Sequence, residues 1–167
     1  AEGSFAWKVP CDDGANYVPL AGNIELKDVT FSYVEGTEVL ISIQGLLGGH
    51  SGIEINNGLA NANALTGRFF MALKKVCDFE IITLSGGVKE NVIPKDAAFS
   101  LLVSPADLSV VEKELADFNA QIAAEYASAD PNAELVMASV GAADAYVLDN
   151  ESMSKLITAL NLMPNGV

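Results

Sequence analysis

The chain has 167 residues, half of them hydrophobic, with nine Lys and Arg against 22 Asp and Glu and a net charge of −13. Scattered cations in so acidic a chain exclude a nucleic-acid role, which needs positive charge to displace counterions from phosphate, and they argue against an anionic membrane surface for the same reason. No apolar run approaches the roughly 20 residues that span a bilayer, so the mean hydropathy of +0.30 describes one compact domain whose apolar surplus either fills an ordinary core or leaves surface for another domain or subunit to cover.

Residues 1–22 carry the breakers Pro10, Asp12-Asp13-Gly14, Pro19 and Gly22 and read as an irregular segment or a linker. The start, Ala1-Glu2-Gly3-Ser4, lacks the basic region and apolar core of a signal peptide, and both ends read as cuts inside a longer protein or as processing. Residues 23–167 read as a single domain. A first strand is expected from Ile24 to Tyr33, a turn at Glu35-Gly36, and a second strand where Val39, Ile41 and Ile43 alternate with polar residues, together a hairpin. A helix follows through Ile55, Leu59, Ala62, Leu65, Phe69 and Leu73, capped by Asn56 or Asn57 and closed by Lys74-Lys75. Phe79 to Leu84 and Ala97 to Val103 are the next strands, separated by Ser85-Gly86-Gly87 and Pro94. Ser104-Pro105 starts a helix with the apolar stripe Leu108, Val111, Leu115, Phe118 and Ile122. Asp130-Pro131-Asn132 is a turn, Leu135 to Val140 a last strand, and Ser152 to Leu162 a short helix stopped by Pro164. From the second hairpin strand onward this is a βαββαβ order. It predicts an α+β, ferredoxin-like sandwich: an antiparallel sheet with helices on one face, an N-terminal hairpin extension and a short C-terminal helix.

The only histidine, His50, sits in Gly48-Gly49-His50-Ser51-Gly52 at a strand-to-helix corner. It is either a loop histidine beside turn glycines or an imidazole that the glycines let another group approach, able to donate to an oxyanion or shuttle a proton. With no second His, an autonomous zinc site is not expected, and Ser51 lacks the Gly-x-Ser-x-Gly frame of a nucleophile elbow. Asn91, in Asn91-Val92-Ile93-Pro94, is first a turn residue; its amide also offers a donor and an acceptor to a peptide-like ligand. Arg68 either pairs with a surface carboxylate or holds a substrate carboxylate. Glu112, Glu114, Asp117 and Glu125 read as a solvated helix face. Cys11 and Cys77 have no near cysteine neighbours and read as reduced thiols of a cytoplasmic protein, with one disulfide as the open alternative.

Gly45-Leu46-Leu47-Gly48-Gly49-His50-Ser51-Gly52, then Ile55, Asn61-Ala62-Asn63, Arg68-Phe69, Asn91-Val92-Ile93-Pro94 and Pro164-Asn165-Gly166-Val167, resembles the lid domain of the bacterial aminoacyl-histidine dipeptidases. These are di-zinc metallopeptidases related to carnosinases, and the likeness runs from about Thr37 to the C-terminus. Cys11 to Gly22 depart from the family pattern, and Ala60 stands where a glycine is common. The resemblance implies that a separate catalytic domain of the same polypeptide supplies the ligands of two zinc ions and that this chain supplies none. It implies that His50 reaches over the dimetal centre to stabilise the tetrahedral oxyanion, that Asn91 contacts the dipeptide substrate, and that Gly48 and Gly49 allow the close approach. It also implies a possible homodimer, since lids of the broader family often mediate one. The competing expectation is a non-enzymatic ferredoxin-like module that binds a small molecule or self-associates through its sheet edge.

Overall fold

The computed structural model describes residues 31–165. Ile24 to Thr30 of the expected first strand, the segment 1–22 with Cys11, and Gly166-Val167 lie outside the described residues; the rest of that strand, Phe31 to Tyr33, opens β1. In chain order the elements are β1 (Phe31–Gln44), β2 (Gly49–His50), a 3-10 turn (Ile55–Asn57), α1 (Ala62–Leu73), β3 (Phe79–Gly86), β4 (Val92–Ile93), β5 (Ala97–Val103), a 3-10 turn (Pro105–Asp107), α2 (Leu108–Glu125), β6 (Glu134–Leu148) and α3 (Asn150–Leu162). The main sheet is ordered β3-β5-β1-β6, and every neighbouring pair is antiparallel. β1 and β3 therefore run the same way with β5 between them, the split βαβ arrangement of the ferredoxin-like fold. The expected α+β sandwich is the one that forms, but the hairpin expected ahead of it is not: Tyr33 and Val39 lie on the same strand, Phe31–Gln44.

Period-two alternation decides which face of the sheet is covered. Val39, Ile41 and Ile43 of β1 are at most 1% exposed, whereas Leu40, on the other face, is 37% exposed. The buried row meets Phe99 and Leu101 of β5, Leu65, Phe69, Phe70 and Leu73 of α1, Val111, Phe118 and Ile122 of α2, and Met153, Ile157 and Leu160 of α3 in one core. Aromatic rings lock its centre: Phe70 meets Phe99 edge-on at 4.8 Å between centroids, and Phe69 meets Phe118 edge-on at 5.4 Å.

Local expectations change in the sheet and at the first helix. Glu35-Gly36 is not a turn. It lies inside the continuous strand β1, where Glu35 faces Asp144 and Gly36 faces Ala143. The reason is β6, which extends past the expected end at Val140 to Leu148 and supplies ladder partners along all of β1, with a register shift between Glu38 and Val39. Gly36 is there for close approach: a Cβ would stand 2.8 Å from Leu102 Cγ. The expected helix from Ile55 splits into a 3-10 turn and α1, and the cap is Asn61, not Asn56 or Asn57. The Asn61 side chain accepts from the amides of Asn63 at 2.9 Å and Ala64 at 3.3 Å. The α2 stripe and the bounds of β5 fall where the periodicity puts them.

Candidate functional site

One end of the sheet collects three connections. Ile43 pairs with both Ala97 and Leu135, and Gly86 pairs with Ala97, so 45–61, 87–96 and 126–133 emerge side by side. The first carries His50 and the second Asn91. The short ladder of β2 and β4 joins them, with Gly49 opposite Ile93 and His50 opposite Val92. The Ser51 amide donates to the Asn91 carbonyl at 3.0 Å, and the Ala62 amide donates to the Pro94 carbonyl at 2.9 Å. Backbone hydrogen bonds thus bring the two segments singled out in the sequence together and seat them beside the start of α1.

His50 is exposed, and its own loop grips it. Its amide donates to Glu54 Oε2 at 2.7 Å, and its carbonyl accepts from Glu54 at 2.9 Å and Ile53 at 3.2 Å. The Gly52 amide donates to ring Nδ1 at 3.0 Å. An imidazole nitrogen that accepts carries no proton, so in the neutral ring the proton is on Nε2, across the ring. The loop therefore holds an exposed N–H donor in a fixed tautomer. Asn91 is exposed on the adjoining turn, with its carbonyl committed to Ser51.

The neighbouring glycines have reasons within the loop. Gly48 takes φ +63°, and a Cβ there would lie 2.9 Å from Lys95 Cβ. A Cβ at Gly49 would lie 2.8 Å from Glu54 Oε2, the oxygen that holds the His50 amide. A Cβ at Gly52 would crowd the imidazole, 3.3 Å from Cε1.

Arg68 is engaged elsewhere. Its guanidinium makes a two-pronged pair with Glu125, at 3.1 and 2.6 Å, and lies 5.8 Å from the centre of the Phe118 ring. The hydrogen bond to Glu125 raises the Arg68 pKa, with burial opposing, and the same bond lowers that of Glu125. The surface-pairing reading of Arg68 therefore describes it. Lys113 and Asp117 pair on α2 at 2.7 Å, as a solvated face would.

Asp130, a turn residue by its sequence context, does more. It is 1% exposed, and its two oxygens accept from the Leu47 and Ala60 amides at 2.6 Å each. Nothing local marks it in the sequence, because Asp before Pro-Asn is an ordinary turn signal.

Among the described residues no group of three or more His, Cys, Asp or Glu is arranged to hold a metal ion. With one histidine in the whole chain, the donor set here does not fit a dinuclear zinc centre. Among the described residues no helix is long and apolar enough to cross a membrane.

Fold and rim together define a ferredoxin-like α+β domain that presents polar side chains from the loop end of its sheet. Residues 41–130 match the peptidase dimerisation domain family. The chain is 35% identical over 127 residues to the cytosol non-specific dipeptidase of Escherichia coli strain K12, covering 76% of this chain and 26% of that protein. It superposes on aminoacylhistidine dipeptidase from Vibrio alginolyticus with a TM-score of 0.76 at 28% identity, over 84% of this chain and 29% of that one. A hydantoinase/carbamoylase family amidase from Burkholderia ambifaria shares the fold at a TM-score of 0.52 and 15% identity, over 83% of this chain and 37% of that one. This chain belongs to the peptidase dimerisation domain family, and the resemblance read from its motifs holds. It spans about a quarter of the length of the dipeptidase it matches.

Proposed function

We propose that residues 23–167 form the lid of a cytoplasmic zinc-dependent dipeptidase that cleaves Xaa-His dipeptides, with residues 1–22 as the segment leading from the catalytic domain. His50 is the catalytic residue of this part, and Asn91 contacts the substrate. The dimetal ligands belong to the catalytic domain of the same polypeptide, outside this chain, and the assembled enzyme is a homodimer.

One observation carries the reading: an exposed imidazole whose Nδ1 is occupied by the Gly52 amide and whose Nε2–H is therefore free to donate. When water adds to a scissile carbonyl, negative charge grows on the carbonyl oxygen. A donor already fixed in place stabilises that charge without reorganising. Gly48 and Gly49, lacking side chains, let the loop close tightly on Lys95 and Glu54, and so shape the rim that carries the ring. Asn91, held against Ser51 by main-chain bonding, offers its amide to the dipeptide backbone from the same rim. Closure of the rim over the substrate excludes water from the reacting centre.

The test is His50→Ala in the intact dipeptidase. Loss of one such donor lowers kcat by about 10²–10³-fold, while an exposed side chain leaves stability within about 0.5 kcal/mol. A variant retaining full kcat overturns the assigned role. Turnover of Xaa-His against other dipeptides tests the substrate class. The two relatives differ in name on this point, one called non-specific and the other aminoacylhistidine dipeptidase. Equal turnover of all dipeptides removes the Xaa-His assignment and leaves the lid reading standing.

A further inference from the structure

We propose that Asp130 is a positioning residue for His50, an inference that rests on the role assigned to His50 above. A loop of this length, left to itself, samples many conformations, and a hydrogen-bond donor on it is useful only if its place is fixed. The segment from Leu47 to Ala60 carries His50, and one side chain meets both of its ends. Asp130 Oδ1 accepts from the Leu47 amide and Oδ2 from the Ala60 amide, each at 2.6 Å. The carboxylate closes the segment into a ring, with the β2–β4 ladder as a cross-brace near His50.

Asp130 is itself immobilised. It is 1% exposed, its amide donates to the Tyr126 carbonyl at 2.9 Å, and its carbonyl accepts from Ala133 at 3.0 Å. The turn also interlocks with the near end of the loop: Gly45 has φ +79°, and a Cβ there would collide with the Asn132 carbonyl oxygen. Rigidity passes from the end of α2, through one carboxylate, to both ends of the segment that presents the imidazole. Asp130 bonds the backbone at both ends of the segment and not the imidazole, so its effect on the site runs through the placing of His50.

Asp130→Asn tests this without much change of volume. Asn keeps one acceptor oxygen and turns an NH2 donor toward the other amide, so one of the two ties is lost. Because the chain holds a single histidine, its ring 15N signals are unambiguous in the labelled 167-residue protein. In wild type the Leu47 and Ala60 amides should exchange slowly with deuterium; exchange as fast as free amides would overturn the proposal before any variant is made. In Asp130→Asn one of them should exchange about tenfold faster or more, the ratio expected for a lost charge-assisted hydrogen bond. The His50 ring signals should move toward tautomer averaging as the Gly52 bond loosens. The core amides of Ile41 and Leu101 should keep their protection. Phe118→Leu, a core change on α2, should lower the melting temperature and leave the ring signals in place. A fall in melting temperature with unchanged His50 and Gly52 signals in Asp130→Asn would make Asp130 a stabilising residue only. In the intact enzyme, kcat should fall in Asp130→Asn with KM little changed. If His50→Ala leaves kcat intact, the catalytic reading fails while the ring and exchange data still judge the clamp.

Discussion

Gly67→Ala sets two effects of opposite sign against each other. Gly67 is in the interior of α1 and fully buried. Helix propensity alone makes alanine about 1 kcal/mol better than glycine there. The neighbouring helix reverses that sign. A Cβ on residue 67 would stand 2.8 Å from Leu160 Cβ, 3.0 Å from Asn161 Nδ2 and 3.2 Å from the Leu160 carbonyl carbon. Two of these atoms sit at or in the backbone of α3, so rotating a side chain does not relieve the contact, and α3 must move. Asn161 donates to the Gly67 carbonyl at 2.9 Å, a bond that the same movement stretches. Overpacking a core typically costs about 1–3 kcal/mol, so with the propensity gain subtracted the variant should be less stable by about 1 kcal/mol. For a chain of this size that lowers the melting temperature by roughly 2–4 °C. Calorimetry or thermal circular dichroism reads it directly. Leu160→Ala in the same background should not rescue the loss, because the obstructing Cβ remains. A melting temperature that rises by the propensity amount would refute the close α1–α3 contact.

Three further outcomes follow from single groups. Glu125→Gln removes the two-pronged pair with Arg68; both side chains are over a third exposed, so the loss at pH 7 should be about 0.5–1 kcal/mol and shrink in high salt. The Glu125 pKa is lowered in the folded chain, so the pair's contribution is fully present above the usual carboxylate value of about 4.3 and is lost as pH falls through the lower folded value. Denaturant midpoints of the two proteins should therefore converge in acid, and a gap that persists there refutes the assignment. Burial, followed by Asp107, Asp78 and Glu114, raises the Cys77 thiol pKa. In a Cys11→Ser background Cys77 should react with disulfide reagents more slowly at pH 8 than a small free thiol does, and Asp78→Asn should speed it; a rate equal to the free thiol's contradicts that environment. Asn61→Ala should cost about 1 kcal/mol by uncapping α1, with Asn61→Asp largely retaining the cap; equal melting temperatures for wild type and Asn61→Ala would refute the cap.

The sequence and the structure agree where a single periodicity governs. Val39, Ile41 and Ile43 alternate because one face of β1 is covered, and Val111, Phe118 and Ile122 recur at helical spacing because α2 buries one stripe. Agreement fails where a distant partner overrides local preference. Gly141-Ala142-Ala143-Asp144-Ala145 has little strand propensity, yet it is strand because β1 pairs along its whole length. Gly36 has the look of a turn residue but is needed where Leu102 crosses. At the candidate site, His50 and Asn91 were both nameable from residue type and neighbours. Their juxtaposition was not, because the ladder that joins them is two residues long on each side and has no periodicity to read. Asp130 was invisible as a clamp because its partners are main-chain amides, which carry no residue identity.

That last point bears on how such a rim can tolerate change. The contacts that set its shape use main-chain groups on at least one side: Ser51 with Asn91, Gly49 opposite Ile93, Ala62 with Pro94, and Leu47 and Ala60 with Asp130. The exposed side chains of His50 and Asn91 are therefore carried by the scaffold more than they hold it up. Substitution of either should separate chemistry from folding, with turnover falling and the melting temperature holding. Substitution of Asp130 or Gly48 should not separate them, since each acts on the backbone that bears the ring. An exposed loop is ordinarily among the less stable parts of a domain. Tying this one by its backbone lets the side chains at its tip be selected for what they touch, while the buried Asp130 and the covered face of the sheet keep their place in space.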